Sequence, residues 1–515
     1  MRVMLKAGFL AATVFSVITA LSQLSGARIQ SPSPQTEPVP KGQIVEKVTC
    51  ANDPEQTYAL YVPSSYTRDR RWPILYALDP GARGKIGVEH FKEAAEKYGW
   101  IVAGSNNSRN GPIQQSAVAW NAMWTDTHQR FAIDDRRVYA AGFSGGARAA
   151  ITIATACVDC VAGVIAGGAG FPVGVAPSSS TRFIFYGTIG VDDFNFLELK
   201  NLDDALTKAE VTHQIEAFVG RHEWAPAAVT VHAFEWMELK AMGSGLRARD
   251  ENLINELWQK RTEQAQAFEG SKQPYEAYQI YLATANAFRS LRDLTETEKK
   301  IVALGAGREV RDALRGEEQQ IKKQRELESQ IYRLLSGRAG GRSLFADDNG
   351  GSGSTELQKS ARAPADLNDQ SSAENSPDAF AARNKLQTMF SDLQKSARAT
   401  QDTSERRVAR RVTEGVYIGL FEQGLNLLQT QKRYVAAANI FQLATELAPE
   451  RAGAFYYLAS AYALSREKKK SLQALKDAVE KGFSDLDALA NNKAFDSVRN
   501  EPAYQQIIQR LSNGH

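Results

Sequence analysis

From Ile44 to Met242, short apolar runs alternate with amphipathic segments, and that alternation leaves few folds open. Runs such as "WPILYALD" and "RVYAAGF" are too short for independent helices and too continuously apolar for half-exposed strands, so they read as strands buried on both faces. "QIVEKVTC" and "TYALYVP" read as opening strands, and "WIVAGS", "VAGVIAGG", "RFIFYG" and "QIEAFVG" as later ones. Between them, "VEHFKEAAEKYG" and the segments Ala117 to Phe131, Gly145 to Ala156, Phe196 to Ala209 and Ala227 to Met242 carry a helical period. Such alternation predicts an α/β fold, a mostly parallel sheet with helices on both faces.

The chain is 515 residues long, enough for two or three folded units. After residue 242 the strand pattern stops. Residues 243–336 are charged and apolar at helical spacing, as in "LINELWQKRTEQAQAF". Residues 337–404 hold few apolar side chains and read as a low-complexity linker, in which "LQKSARA" occurs at Leu357 and again at Leu393. From 405 to 515 the pattern repeats with a period of 34 residues, the length of a tetratricopeptide helix pair. Tyr434, Ala437, Phe441, Ala444 and Pro449 stand at the spacing of that motif's second helix. This segment resembles tetratricopeptide repeats, and such repeats commonly present a concave surface to a protein partner.

Ahead of the first strand, Arg2 and Lys6 precede an apolar run from Ala7 to Leu21, followed by small residues near Ala27. Residues 1–27 read as a signal peptide, because the run is shorter than the ~20 residues that span a bilayer. A secreted or periplasmic protein with no membrane span after cleavage is expected, with residues 28–43 as a Pro/Ser-rich spacer. Export allows disulfides, and Cys50, Cys157 and Cys160 are read as a bridge between two of the three or as buried thiols. A lone CxxC with no nearby histidine gives no metal site. The net charge of +3, with basic and acidic residues spread evenly, provides no footprint for nucleic acid.

The chemistry concentrates in "VYAAGFSGGARAA", where Gly142, Ser144 and Gly146 form G-x-S-x-G between a strand and a helix. A serine on a strained turn projects into solvent as a nucleophile, and glycines on either side let strand and helix approach. The helix behind it favours developing negative charge. A serine needs a base, and the order in such a fold is serine, acid, histidine. Of six histidines, His90 and His128 precede the serine and His515 ends the chain. His213 begins a strand and His232 lies within a helix, which leaves His222 in "FVGRHEW". The acid should follow "RFIFYG", where Asp192 and Asp193 are both available.

Backbone amides should hold the oxyanion. Gly145 offers one, and Gly81 or Ala82 in "PGARG" the other, since Pro80 has no N–H. Arg83 is placed to hold a substrate carboxylate. Asn106, Asn107, Arg109 and Asn110 in "GSNNSRNGP" should form a polar wall for the cleft, and Trp224 an aromatic one.

Over Ile44 to Met242, through "LDPGARG", "GFSGGAR", "GVDDFNF" and "GRHEW", the chain resembles the α/β-hydrolase superfamily, in its secreted esterase group of polyhydroxybutyrate-depolymerase-like and feruloyl-esterase-like proteins. The resemblance implies Asp193 as the acid, because the family's acid precedes a Phe-Asn pair like Phe194–Asn195. Two departures stand out. Asp79–Pro80 replaces the family's usual His-Gly, and Phe143 and Gly145 flank the serine where many relatives carry His and Met. The expectation is a cofactor-free serine hydrolase of small or polymeric carboxylic esters working through an acyl-enzyme. The alternatives are a peptidase of the same fold and an inert hydrolase scaffold serving its helical repeats.

Overall fold

The buried runs form one eight-stranded sheet in the order β1-β2-β4-β3-β5-β6-β7-β8. The computed structural model describes residues 39–336 and 377–512. The expected signal peptide, nearly all of the spacer, residues 337–376 with the first "LQKSARA", and His515 lie outside the described residues.

Strands β1 (Ile44–Cys50) and β2 (Asp53–Tyr61) make an antiparallel hairpin. Strand β2 runs antiparallel to β4 (Ile101–Ser105). The remaining strands, β3 (Trp72–Leu78), β5 (Ile133–Phe143), β6 (Gly163–Gly167), β7 (Ile184–Gly190) and β8 (His213–Phe218), are parallel to their neighbours. Every residue of β3, β4 and β6 is buried, as expected where helices cover both faces. This is the α/β-hydrolase strand order. The helices between the strands are α1 (Gly84–Tyr98), α2 (Ile113–Arg130), α3 (Gly145–Ala156) and α4 (Phe196–Lys208), with α5 (Ala227–Gly243) after β8. Helix α1 starts four residues before "VEHF" because Gly84 packs on β4: a Cβ there would fall 2.2 Å from the Gly104 carbonyl oxygen.

Packing does not break at Met242. Helices α6 (Glu251–Gly270) and α7 (Pro274–Phe288) contribute Ile254, Leu257, Ala285 and Phe288 to the same core as Trp100, Tyr139, Phe234 and Trp236. The Trp236 indole donates to Asn286 at 2.8 Å, and Asn286 donates to the His213 carbonyl on β8 at 2.9 Å. Helix α8 (Thr295–Gly305) leads into the long α9 (Arg308–Leu335), whose end enters a second core. That core is built by α10 (Pro377–Ala397), α11 (Ser404–Leu425), α12 (Tyr434–Leu447), α13 (Ala452–Leu464), α14 (Lys468–Glu480), α15 (Leu486–Asn491) and α16 (Pro502–Ser512).

Helix α10 corrects the sequence reading, which placed residues 337–404 in a linker. Leu386, Phe390 and Leu393 recur at helical spacing and are buried against α11 and its neighbours. The described residues from Pro40 onward belong to one compact unit, so the helices and the sheet share one frame. Cys157 and Cys160 are joined in a disulfide, and Cys50 is a free thiol. Burial, with Asp126 and Asp53 nearby, pushes the Cys50 thiol up to about 12. Among the described residues, no helix is long and apolar enough to cross a membrane.

Candidate active site

In a parallel sheet the loops after the strands gather at one end. Leu78 pairs with Gly142 and Phe143 with Gly167, so β3, β5 and β6 stop side by side there. Ser144 follows β5 with φ +52° and ψ −121°, a conformation that costs a non-glycine residue ~1–3 kcal/mol. The flanking glycines explain how the turn closes. A Cβ on Gly142 would lie 2.2 Å from the Gly146 carbonyl carbon, and one on Gly146 would lie 2.0 Å from the Leu78 oxygen. The Ser144 N–H donates to the Gly167 carbonyl at 2.8 Å, pinning the turn to β6. Gly145 opens α3, so its N–H has no acceptor within the helix.

The Ser144 Oγ lies 2.9 Å from His222 Nε2. On the other side of the ring, His222 Nδ1 lies 3.0 and 2.9 Å from the two carboxylate oxygens of Asp193. Asp193 is fully buried, accepts the Asn195 N–H at 2.8 Å, and sits in the turn that follows β7. Asn195 in turn donates through its side chain to the Gly168 carbonyl at 2.7 Å. Phe143 and Phe194 place their rings 4.6 and 4.3 Å from the imidazole. Gly168, at φ +66°, completes this seat, since a Cβ there would fall 2.8 Å from the Phe143 ring and 3.1 Å from His222 Cε1.

Several residues expected at the cleft have other engagements. The Gly81 N–H donates to Asp79 Oδ1 at 2.8 Å and the Ala82 N–H to the Asp79 carbonyl at 3.2 Å, so neither expected backbone donor is free. Arg83, expected to hold a substrate carboxylate, already pairs with the same Asp79 carboxylate through two hydrogen bonds of 2.7 and 3.0 Å. Trp224 donates its indole N–H to Asp79 Oδ2 at 3.0 Å and lies against Phe143 and His90. Burial works to raise the Asp79 carboxyl, but the donors from Arg83, Trp224 and Gly81 outweigh it and hold it below its ordinary range. Asp79 thus places a buried carboxylate that organises the whole loop.

The polar wall is also smaller than expected. Asn106 donates to the Glu46 carbonyl, and Asn107 donates to the Glu55 carbonyl while accepting the Thr57 N–H, so both amides face β1 and β2. Arg109 is exposed and bridges Gly81 through its backbone. Asn110 is the member that reaches Gly145, the residue after the serine. Its N–H donates to the Pro80 carbonyl at 2.9 Å, and its carboxamide fills the space that a side chain at Gly145 would occupy, 1.8 Å from the Cβ position.

Phe194, Asn195 and Gly168 went unread as site residues in the sequence, although the Phe-Asn pair served there as a marker of the acid. A cavity of about 590 Å³ lined by Arg68–Arg71, His128 and Asp135 lies at the opposite, N-terminal ends of β3 and β5. Among the described residues no group of three His, Cys, Asp or Glu side chains is placed to hold a metal ion.

The sheet therefore defines an α/β-hydrolase fold, with a serine, a histidine and a carboxylate in one hydrogen-bonded row at its C-terminal end. Neither a family model nor a curated protein matches the chain. Among solved structures it is similar to an S-formylglutathione hydrolase of Staphylococcus aureus, at 15% identity, covering 39% of this chain and 98% of that one with a TM-score of 0.32. It is also similar to a ferulic acid esterase, at 15% identity over 38% of this chain and 97% of that chain, TM-score 0.32. An esterase of Pyrobaculum calidifontis is similar at 11% identity over 39% and 86%, TM-score 0.33.

Proposed function

We propose that this chain is a serine hydrolase of carboxylic esters, and the observation that carries the reading is the unbroken row Ser144–His222–Asp193. In this mechanism His222 Nε2 accepts the Ser144 proton as Oγ attacks the ester carbonyl. The same nitrogen returns the proton to the departing alcohol, leaving an acyl-enzyme that water resolves by the same route. Asp193 keeps Nδ1 protonated and fixes the ring plane. The reaction needs no cofactor. Hydrolysis of a panel of p-nitrophenyl esters by the purified protein tests the reading, and a panel left wholly uncleaved would count against it.

The tetrahedral oxyanion requires two donors, and the Gly145 N–H is one. With Gly81 and Ala82 engaged by Asp79, we assign the second to the Asn110 carboxamide, which a half-turn about its last side-chain bond presents nitrogen-first. Asn110→Ala should lower kcat by about 10²-fold with KM nearly unchanged, read from steady-state kinetics on one ester. An unchanged kcat would return the role to the loop of Gly81.

The acid can be distinguished from its neighbour. Asp193→Asn should cost about 10⁴-fold in kcat, because an asparagine offers His222 the wrong tautomer partner. Asp192→Asn should cost far less, and a reversed order would move the acid by one residue.

We further read the chain as exported, with a signal peptide at residues 1–27. The Cys157–Cys160 bridge suits an oxidising compartment. The helices from Ser404 onward are read as tetratricopeptide-like repeats that recruit a protein partner or present the hydrolase to a polymeric ester. Helices α12 and α14 begin one 34-residue repeat apart, which supports that reading.

A further inference from the structure

The helical region touches the loop that carries Asp193, and it does so through a charged group. Arg410 on α11 donates Nη1 to Asp192 Oδ2 at 2.7 Å, across 218 residues of sequence. The Asp192 side chain is only 10% exposed, and its other oxygen, Oδ1, is buried with no hydrogen-bond partner. Arg410 is thus the one side chain that hydrogen-bonds this carboxylate among the described residues. Through Nε the same guanidinium donates to the Ala397 carbonyl at 3.1 Å, at the end of α10.

The contact continues along α11. Arg411 lies over the Phe196 ring at 4.1 Å and donates to Gln320 and Gln324 on α9 at 3.1 and 3.4 Å. Burial lowers the Arg411 guanidinium to about 10. One turn on, Gly415 brings α11 against Phe194, the residue whose ring lies on His222: a Cβ at Gly415 would sit 3.4 Å from the Phe194 Cβ. The loop is also tied to the histidine's own loop, since the Val191 N–H donates to Phe218 and the Asp192 N–H to Gly220.

We propose that Arg410 is a positioning residue that makes the C-terminal helices part of the active site, holding the 191–196 loop so that Asp193 meets His222 in line. The proposal rests on the hydrolase reading above. Its physical basis is that Asp192 is a mostly covered carboxylate next to the fully buried Asp193. Arg407 and Arg411 act on it only through space, and a largely covered charge that loses its hydrogen-bonded partner must protonate or move toward water. Either response displaces the loop next to Asp193, and a displacement of about 1 Å in a reacting constellation costs up to about 10²-fold.

The test is a set of full-length variants assayed on one p-nitrophenyl ester, with melting temperature and fluorophosphonate labelling measured in parallel. Arg410→Ala should lower kcat about 10–100-fold while KM stays within about twofold. Arg410→Lys should recover most of that loss. Adding Asp192→Asn to Arg410→Ala should also restore turnover to near that of Asp192→Asn alone, because the stranded charge is gone. A general loss of packing would show neither recovery. Wild-type turnover in Arg410→Ala, or a loss that Asp192→Asn does not relieve, would overturn the proposal while Ser144 still labels. A wild type that neither labels nor turns over would overturn the hydrolase reading, and this proposal with it.

Discussion

Replacing Ser144 by alanine is expected to reduce ester turnover by about 10⁶-fold, to the level supplied by binding and the oxyanion donors alone. The expectation follows from geometry. Oγ is the atom hydrogen-bonded to His222 Nε2 at 2.9 Å, and alanine removes it without altering the turn. The backbone at φ +52° is as strained for alanine as for serine, and the Ser144 N–H bond to Gly167 does not involve the side chain. The melting temperature should therefore stay near that of the wild type. A variant that folds normally and still cleaves esters at an appreciable rate would remove Ser144 from the mechanism.

His222→Ala is expected to cost about as much, because a serine without its base is an ordinary alcohol. The decisive feature is non-additivity. The two side chains act as one unit, so the double variant Ser144→Ala/His222→Ala should be no slower than either single variant. If the losses multiplied, the two groups would be contributing independently, contrary to the shared hydrogen bond. Unlike Ser144→Ala, this change also opens a space between Phe143 and Phe194, whose rings rest on the imidazole. A modest loss of stability should accompany it, and circular dichroism at the assay temperature separates unfolding from lost chemistry.

Much of the sheet was legible because buried parallel strands leave continuous apolar runs, as "WPILYALD" and "RVYAAGF" do. The serine was legible for a different reason: Gly142 and Gly146 are glycines because backbone atoms stand about 2 Å from where their Cβ atoms would be. What was not legible depends on partners distant in sequence. Nothing near Arg83 or Gly81 shows that Asp79 will occupy both of them, since that depends on the carboxylate being buried beneath Trp224. Asn106 and Asn107 turn to β1 and β2 for the same kind of reason, because those strands expose unpaired backbone groups beside the loop.

Helix α10 was hidden by averaging. The composition of residues 337–404 taken together is polar, and it masks the spacing of Leu386, Phe390 and Leu393, which is enough for one buried face. The link between Arg410 and Asp192 is the furthest from sequence reasoning. It joins one of several arginines in "SERRVARRVTEG" to one of two adjacent aspartates, and only the docking of α11 selects the pair.

The most direct test of the central claim is labelling of the purified protein with a fluorophosphonate probe, followed by peptide mapping, with Ser144→Ala in parallel. The probe reports an activated serine whatever the natural ester. Covalent modification confined to Ser144, and absent from the alanine variant, is the predicted result. A folded wild type that resists the probe, or one modified at another serine, would contradict the account.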